Sequence, residues 1–203
     1  MNARTIIAAD GLPRRAFTVA DVERMVEAGV IGEDERVELV DGELIPMSPK
    51  GNRHEILKTA LLMDWVPRRP KSVLLAVETT LRLSGDTYLE PDILLFRRSV
   101  GFGRLNGPSV LLAVEIGVSS LGYDLGRKAA VYAAFGVPEL WVVDAARLVV
   151  HIHLQPGPEG YGSVTPRTAG DLIVPRLVPD LTLRLADLDL DELADPDLDR
   201  DEE

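Results

Sequence analysis

Two identical heptapeptides, SVLLAVE, occupy residues 72–78 and 109–115 and constrain the fold of this chain more than any other feature. Long runs of Val, Leu and Ala are typical of strands buried on both faces of a sheet. An ionised carboxylate in such a place is costly unless a positive group meets it. Each copy ends in a glutamate, Glu78 or Glu115, and the flanking residues predict a different role for each.

After the first copy the chain continues TTLRL, which alternates polar and apolar residues. The alternation predicts one strand over about residues 73–83, with Glu78 and Arg82 close together on its polar face. A supporting role for Glu78 beside a site is the alternative.

The second copy has apolar residues on both sides of its glutamate, from Leu111 to Val114 before it and at Ile116 and Val118 after it. Neither face of this strand reads as solvent-exposed, so Glu115 needs a basic side chain or a metal ion as its partner. Asp92 stands at the start of another apolar run, ILLF, directly after a proline. Two adjacent strands that each deliver one carboxylate would form a site for Mg²⁺. The alternative for Asp92 is a turn-capping role.

A helix predicted from about Asp124 to Phe135 follows the Glu115 strand. Asp124, Lys128 and Tyr132 recur every four residues and therefore share one face of it. A helix packed back on the sheet would direct Lys128 at the carboxylates. The alternatives are a solvated ion pair for Lys128 and a packing role for Tyr132.

Other local signals complete an α/β (α+β) architecture, a mixed and twisted central sheet flanked by helices, with an N-terminal helix and a β-hairpin. Thr18 begins a capping box for a helix to about Ala28, and Asp41-Gly42 predicts a hairpin. The remaining predictions are a helix over 53–66 ended by Pro67, strands near 91–96 and 110–116, a turn at 84–86 joining the strands of 73–83 and 91–96, a hairpin around 144–147, and short strands and loops after it.

The chain has 203 residues, and we expect one domain over 17–188, a flexible N-terminus over 1–16 and an acidic, disordered tail over 189–203. The net charge of −11 is concentrated at the C-terminus, because residues 187–203 hold 10 acids and 1 Arg and so carry −9 of it. The remaining −2 leaves a nearly neutral body that does not exclude a nucleic-acid partner.

Several function classes are disfavoured by composition. With no cysteine the chain has no thiol nucleophile and no zinc–thiolate cluster. Ser119-Ser120 lacks the flanking pattern of a nucleophile elbow. No apolar run approaches the ~20 residues that a membrane span needs. We expect a cytoplasmic protein that does not bind membranes.

The run from Tyr123 to Asp144, with Asp92 after its proline and Glu115 in VEI, resembles the Uma-two family of restriction endonuclease-like proteins in the PD-(D/E)xK nuclease-like superfamily. The hairpin VELVDGE, the MSP segment after it and His54 resemble the N-terminal half of the same family. The resemblance covers roughly residues 17–188.

This resemblance implies a restriction endonuclease-like fold and hydrolysis of phosphodiester bonds in DNA. Asp92, Glu115 and the backbone carbonyl of Ile116 would bind Mg²⁺ or Mn²⁺, and Lys128 would orient or activate the attacking water. The lysine usual in the superfamily would stand two residues after Glu115, where this chain has Gly117. Lys128 is the proposed substitute.

Supporting roles are expected for Glu38 through a water ligand, for His54 through a phosphate contact, and for Asp124 and Tyr132. Solvent exposure in its hairpin is the alternative for Glu38, and a capping or surface position is the alternative for His54. We expect a homodimer. Two other functions stay open: a catalytically silent nucleic-acid-binding or regulatory module, and a structural domain in which Lys128 neutralises the buried carboxylates without any metal.

Overall fold

The computed structural model describes residues 5–7, 11–32 and 34–194. The described strands are β1 (Thr5–Ile7), β2 (Pro13–Arg15), β3 (Val37–Val40), β4 (Glu43–Pro46), β5 (Val73–Val77), β6 (Leu81–Arg82), β7 (Tyr88–Leu89), β8 (Ile93–Arg97), β9 (Val110–Gly117), β10 (Glu139–Asp144), β11 (Val149–Gly157) and β12 (Gly160–Arg167). The helices are α1 (Val19–Glu27), α2 (Asn52–Arg68), α3 (Leu121–Tyr123), a π-helical segment (Asp124–Lys128), α4 (Ala129–Ala134) and α5 (Leu190–Leu193). None of the helices in these segments is long and apolar enough to cross a membrane.

A six-stranded sheet in the order β12-β11-β10-β9-β8-β5 forms the centre of the molecule. β9 and β10 are parallel, and the other neighbours are antiparallel. The predicted mixed sheet is therefore confirmed. β9 contains most of the second heptapeptide and is buried along its whole length, as expected for a strand covered on both faces.

Helices cover the two faces of β9. Leu112 and Val114 pack in one hydrophobic cluster with Trp65 of α2. Ala113 packs in a second cluster with Tyr132 of α4. Because successive strand residues point to opposite faces, Glu115 shares the face of Ala113, on the side of α4.

A second sheet has four short strands in the order β4-β3-β7-β6. The predicted capping box at Thr18 begins α1. The predicted hairpin joins β3 to β4, with positive φ angles of 52° at Asp41 and 86° at Gly42. These angles suit a tight hairpin turn, and Gly42 has a further constraint because an added Cβ would lie 2.7 Å from the Cβ of Ala16.

The single strand predicted over residues 73–83 is wrong. The chain turns at Glu78, whose φ is 49°, so that β5 joins the six-stranded sheet and β6 the four-stranded one. The turn at residues 84–86 joins β6 to β7 instead of the strands predicted at 73–83 and 91–96. Arg82 pairs with Glu23 at 2.5 Å, not with Glu78.

Three element boundaries also differ. Helix α2 continues through Pro67 to Arg68, because a proline in the last turn removes only one hydrogen bond of the ladder. The helix predicted from Asp124 begins at Leu121 and contains the π-helical segment. β12 is an eight-residue strand where only short strands were predicted.

The expected terminal segments are described only in part. β1 and β2 pair within the predicted N-terminal segment, while residues 1–4 and 8–10 lie outside the described residues. α5 lies at the start of the predicted acidic tail, and residues 195–203 lie outside the described residues.

Candidate active site

Asp92 and Glu115 lie on neighbouring antiparallel strands at the same end of the sheet. Ile93 at the start of β8 is opposite Val114 of β9, so the residues that follow and precede this pair, Glu115 and Asp92, come together. The backbone N–H of Ile116 donates to Oδ2 of Asp92 at 2.7 Å. This bond fixes the Asp92 carboxylate against β9.

The Glu115 carboxylate is 3% exposed and has one partner at each oxygen. Lys128 Nζ lies 2.8 Å from Oε2, and the Tyr132 hydroxyl donates to Oε1 at 2.5 Å. Burial raises the pKa of Glu115 and the nearby carboxylates act in the same direction, against the lowering effect of Lys128. Glu115 therefore depends on Lys128 for its charge.

Lys128 lies between two buried carboxylates, with Nζ also 2.8 Å from Oε1 of Glu38. Although burial alone would lower it, the negative charges of Glu115 and Glu38 raise the pKa of Lys128 above its ordinary value. Glu38 is 1% exposed and also accepts the N–H of Glu90 at 2.9 Å. The alternative of a solvent-exposed Glu38 is therefore wrong.

The second oxygen of Asp92 is held by two basic side chains. Oδ1 lies 2.7 Å from Lys50 Nζ and 2.9 Å from His54 Nε2. Burial would raise the pKa of Asp92, but His54 and Lys50 hold it well below its usual range. His54, 5% exposed at the first turn of α2, is not a surface residue.

Lys50 and Glu78 also belong to this cluster, and sequence reasoning missed Lys50. Lys50 Nζ lies 2.6 Å from Glu78 Oε1, while Lys58 and Arg36 meet the same carboxylate at 2.5 and 3.1 Å. Against a desolvation effect that would raise it, the hydrogen bonds from Lys50 and Lys58 lower the pKa of Glu78 to about 2. The alternative reading of Glu78, a position beside a site, matches this geometry. Lys50 stands in a loop, where no periodic pattern predicts its direction.

Asp124 and Gly117 meet at the start of the helical segment after β9. Asp124 accepts the Ser120 hydroxyl at 2.7 Å, and burial raises its pKa. A Cβ at Gly117 would lie 2.9 Å from Asp124 Oδ2 and 3.0 Å from Leu121 Cα. A lysine at position 117 would require this segment to shift by a few tenths of an ångström, which gives a physical reason for the departure from the superfamily pattern.

A cavity of about 410 Å³ opens beside these groups. Its charged or titratable lining residues among those described are Glu38, Lys50, His54, Asp92, Glu115, Tyr123, Asp124 and Lys128. Four carboxylates, two ammonium groups and the imidazole of His54 thus line one cavity. Tyr132, which holds Glu115 from behind, does not line it.

The donor set around the cavity suits a hard divalent cation in its chemistry. Mg²⁺ takes one or two carboxylates and completes its shell with waters and substrate oxygens. Asp92, Glu115 and Ile116 all line the cavity. Within the described ranges, no three His, Cys, Asp or Glu side chains are arranged as a ready metal cage. The site thus fits a cation that is held partly by water and substrate oxygens, rather than one held by protein ligands alone.

The sequence matches a known family, and the fold matches a solved structure. A profile of the family Uma2, described as "Putative restriction endonuclease", matches residues 19–186. The fold resembles the crystal structure of a putative nuclease of DUF820 from Anabaena variabilis, with a TM-score of 0.65 over 88% of this chain and 99% of that one, at 17% identity. At this identity the likeness shows a shared fold. No curated protein matches the sequence.

Proposed function

The chain belongs to the Uma2 family, and from this membership and the cavity we propose that it is a metal-dependent endonuclease that hydrolyses phosphodiester bonds in DNA. The observation that carries the proposal is the meeting of Asp92 and Glu115 from adjacent strands at one cavity, where four carboxylates outnumber two ammonium groups. A divalent cation would offset the repulsion among these carboxylates.

Asp92, Glu115 and the backbone carbonyl of Ile116 are the groups that would hold Mg²⁺ or Mn²⁺. When bound, the cation would stabilise negative charge that develops on the phosphate during in-line displacement. The N–H of Ile116 holds one oxygen of Asp92 against β9 at 2.7 Å, so this carboxylate is oriented before any ligand arrives.

Lys128 keeps two roles in the proposal. Its ammonium, 2.8 Å from both Glu38 and Glu115, favours the ionised form of Glu115 against the effect of burial and holds the side chain in place. Because its pKa is raised, Lys128 stays protonated at neutral pH and can only donate. It would therefore orient the attacking water from the cavity wall, or stabilise the phosphate charge, without acting as the base.

The supporting residues hold these groups in position. Tyr132 donates to Glu115, and Glu38 shares Lys128 and could accept a bond from a water in the cavity. Asp124 lines the cavity next to Lys128. His54 lies between Asp92 and Glu55, with Nδ1 3.1 Å from the latter, and can contact a phosphate from the side of α2.

Cleavage of covalently closed circular DNA tests this function, because only an internal cut converts supercoiled circles to open ones. The wild type, Asp92→Asn and Glu115→Gln should be incubated with Mg²⁺ or Mn²⁺, with and without EDTA. We expect nicking by the wild type in either metal, none in EDTA, and a loss of at least about 100-fold in both variants.

A matched control is Asp64→Asn, since Asp64 lies on the outward part of α2 and pairs with Arg68 on the surface. Full activity of Asp64→Asn confirms that the losses belong to the site. Nicking by Asp92→Asn at the wild-type rate would refute the assignment, and activity in EDTA would refute the metal requirement.

A catalytically silent DNA-binding module is the second candidate, favoured by one observation. Each carboxylate oxygen of Asp92 and Glu115 already has a protein donor: Ile116 N–H, Lys50, His54, Lys128 or Tyr132. This function predicts DNA binding by the wild type and by Asp92→Asn in equal measure, with no cleavage in any metal.

A further inference from the structure

Lys50 occupies a place at the cavity where a cation is expected. Its Nζ lies 2.7 Å from Asp92 Oδ1 and 2.6 Å from Glu78 Oε1. These two carboxylates come from the start of β8 and the end of β5, which are paired strands. An ammonium that links carboxylates of two strands resembles, in charge and in oxygen partners, a bound metal ion.

A divalent cation and this ammonium compete for the same oxygen. Asp92 Oδ2 already accepts the N–H of Ile116, so Oδ1 is the oxygen with which Asp92 meets positive groups from the cavity. A metal at Oδ1 would stand within a few ångströms of Lys50 Nζ, and two positive charges so close repel strongly in a poorly solvated site. The cation therefore has to displace Lys50.

The surroundings of Lys50 permit this displacement, in contrast to those of Lys128. The Lys50 side chain is 15% exposed, against 4% for Lys128, and it belongs to the loop between β4 and α2. When it leaves Asp92 it can retain Glu78, which also has Lys58 and Arg36 as partners.

We propose that Lys50 is the internal counter-ion of Asp92 in the metal-free protein and that binding of Mg²⁺ or Mn²⁺ displaces it. Lys50 is then a positioning residue: it keeps the Asp92 carboxylate charged and oriented before the metal arrives, and it lowers the affinity of the site for the metal alone. The inference rests on the proposed metal-dependent function, since it concerns the same site.

Calorimetric titration of Mn²⁺, without DNA, tests this role in wild type, Lys50→Gln, Lys50→Met and Lys50→Arg. Removing the charge should raise the Mn²⁺ affinity about tenfold, because the charge-assisted hydrogen bond to Asp92 no longer has to be broken. Lys50→Arg keeps the charge and should keep the affinity within about threefold of wild type. The matched control is Lys71→Gln, which replaces an exposed lysine in the loop after α2 and should leave the Mn²⁺ affinity unchanged.

Thermal unfolding gives a second measurement of the role of Lys50, made on both neutral variants. Without metal, Lys50→Gln and Lys50→Met should unfold at a lower temperature than wild type, because Asp92 and Glu78 each lose one of their basic partners. Saturating Mn²⁺ should raise the Tm of both variants by more than it raises that of the wild type. A merely structural role would lower the Tm with and without metal alike.

The outcomes separate this inference from the proposed function. Mn²⁺ binding that is equal or weaker in both neutral variants refutes the role of Lys50 and leaves the metal-dependent function standing. The absence of Mn²⁺ binding in wild type and in every Lys50 variant refutes both.

Discussion

Replacement of Lys128 by methionine is the sharpest test of the buried ion cluster. Methionine keeps most of the side-chain volume but removes the charge that lies 2.8 Å from both Glu38 and Glu115. Loss of one partner from a buried ion pair typically costs about 3 to 5 kcal/mol, because the remaining charge is left without compensation. We expect Lys128→Met to lower the free energy of unfolding by an amount in this range near neutral pH.

The pH dependence of this loss follows from how the variant relieves it. One carboxylate can take up a proton, and for a glutamate with an unfolded-state pKa of about 4.3 this costs about 3.7 kcal/mol at pH 7 but only about 1.6 kcal/mol at pH 5.5. Burial already raises the pKa of Glu115, and loss of Lys128 raises it further. A folded-state pKa above the unfolded one favours folding at low pH and loses that contribution as the pH rises. The destabilisation should therefore shrink by about 2 kcal/mol between pH 7 and pH 5.5.

Urea denaturation at both pH values measures the effect, with Lys71→Met as an exposed control that should leave stability unchanged at either pH. The double variant Lys128→Met/Glu115→Gln should recover part of the loss near neutral pH, because it removes one uncompensated charge. A destabilisation below about 1 kcal/mol, the range of an exposed pair, would refute the buried cluster. So would a larger loss that does not change with pH.

Two further predictions concern a glycine beside the site and a histidine outside it. Gly117→Ala should destabilise the protein by about 1 to 3 kcal/mol in urea denaturation, because its Cβ would lie 2.9 Å from Asp124 Oδ2. Gly122→Ala is the control and should not destabilise it, because the space around Gly122 is open. Equal stabilities of the two variants would contradict the close approach at Gly117. His153, buried edge-on against Tyr161, has its pKa lowered to about 4 by desolvation and by His151. Between about pH 6.5 and pH 4 the unfolded chain thus binds more protons than the folded one, so the stability of the wild type should fall as the pH drops through this window. His153→Phe should remove this part of the fall. An unchanged pH profile of stability in that variant would show that His153 does not contribute.

The second heptapeptide was interpretable from sequence because its structure is decided locally. Apolar residues on both sides of Glu115 require cover on both faces of the strand, and α2 and α4 supply it. The need of Glu115 for a positive partner followed from the cost of its burial, and Lys128 is that partner. Any chain that buries this strand has to solve the same problem, so no knowledge of the remaining fold was required.

The first heptapeptide has the same seven residues and a different outcome. Glu78 leaves the strand with a φ of 49°, and its carboxylate meets Arg36, Lys50 and Lys58. These basic side chains lie just before β3, in the loop after β4 and on α2, so the sequence near Glu78 does not predict them. The alternation in TTLRL was compatible with a continuous strand, but tertiary ion pairs decided the conformation.

Gly117 and Lys128 are two consequences of one packing arrangement. The segment that starts at Leu121 approaches β9 so closely that a Cβ at position 117 would lie 3.0 Å from Leu121 Cα, which disfavours a larger side chain there. The same segment continues into the π-helical turn that ends at Lys128, and this turn brings Nζ to 2.8 Å from Glu115. Single π-helical turns often occur at functional sites. A side chain at position 117 would press on the segment that supplies Lys128, so a lysine on β9 would disturb this placement of Lys128. Sequence reasoning registered the glycine as a missing lysine, whereas the structure shows that Gly117 lies where the segment that carries Lys128 approaches β9 closely.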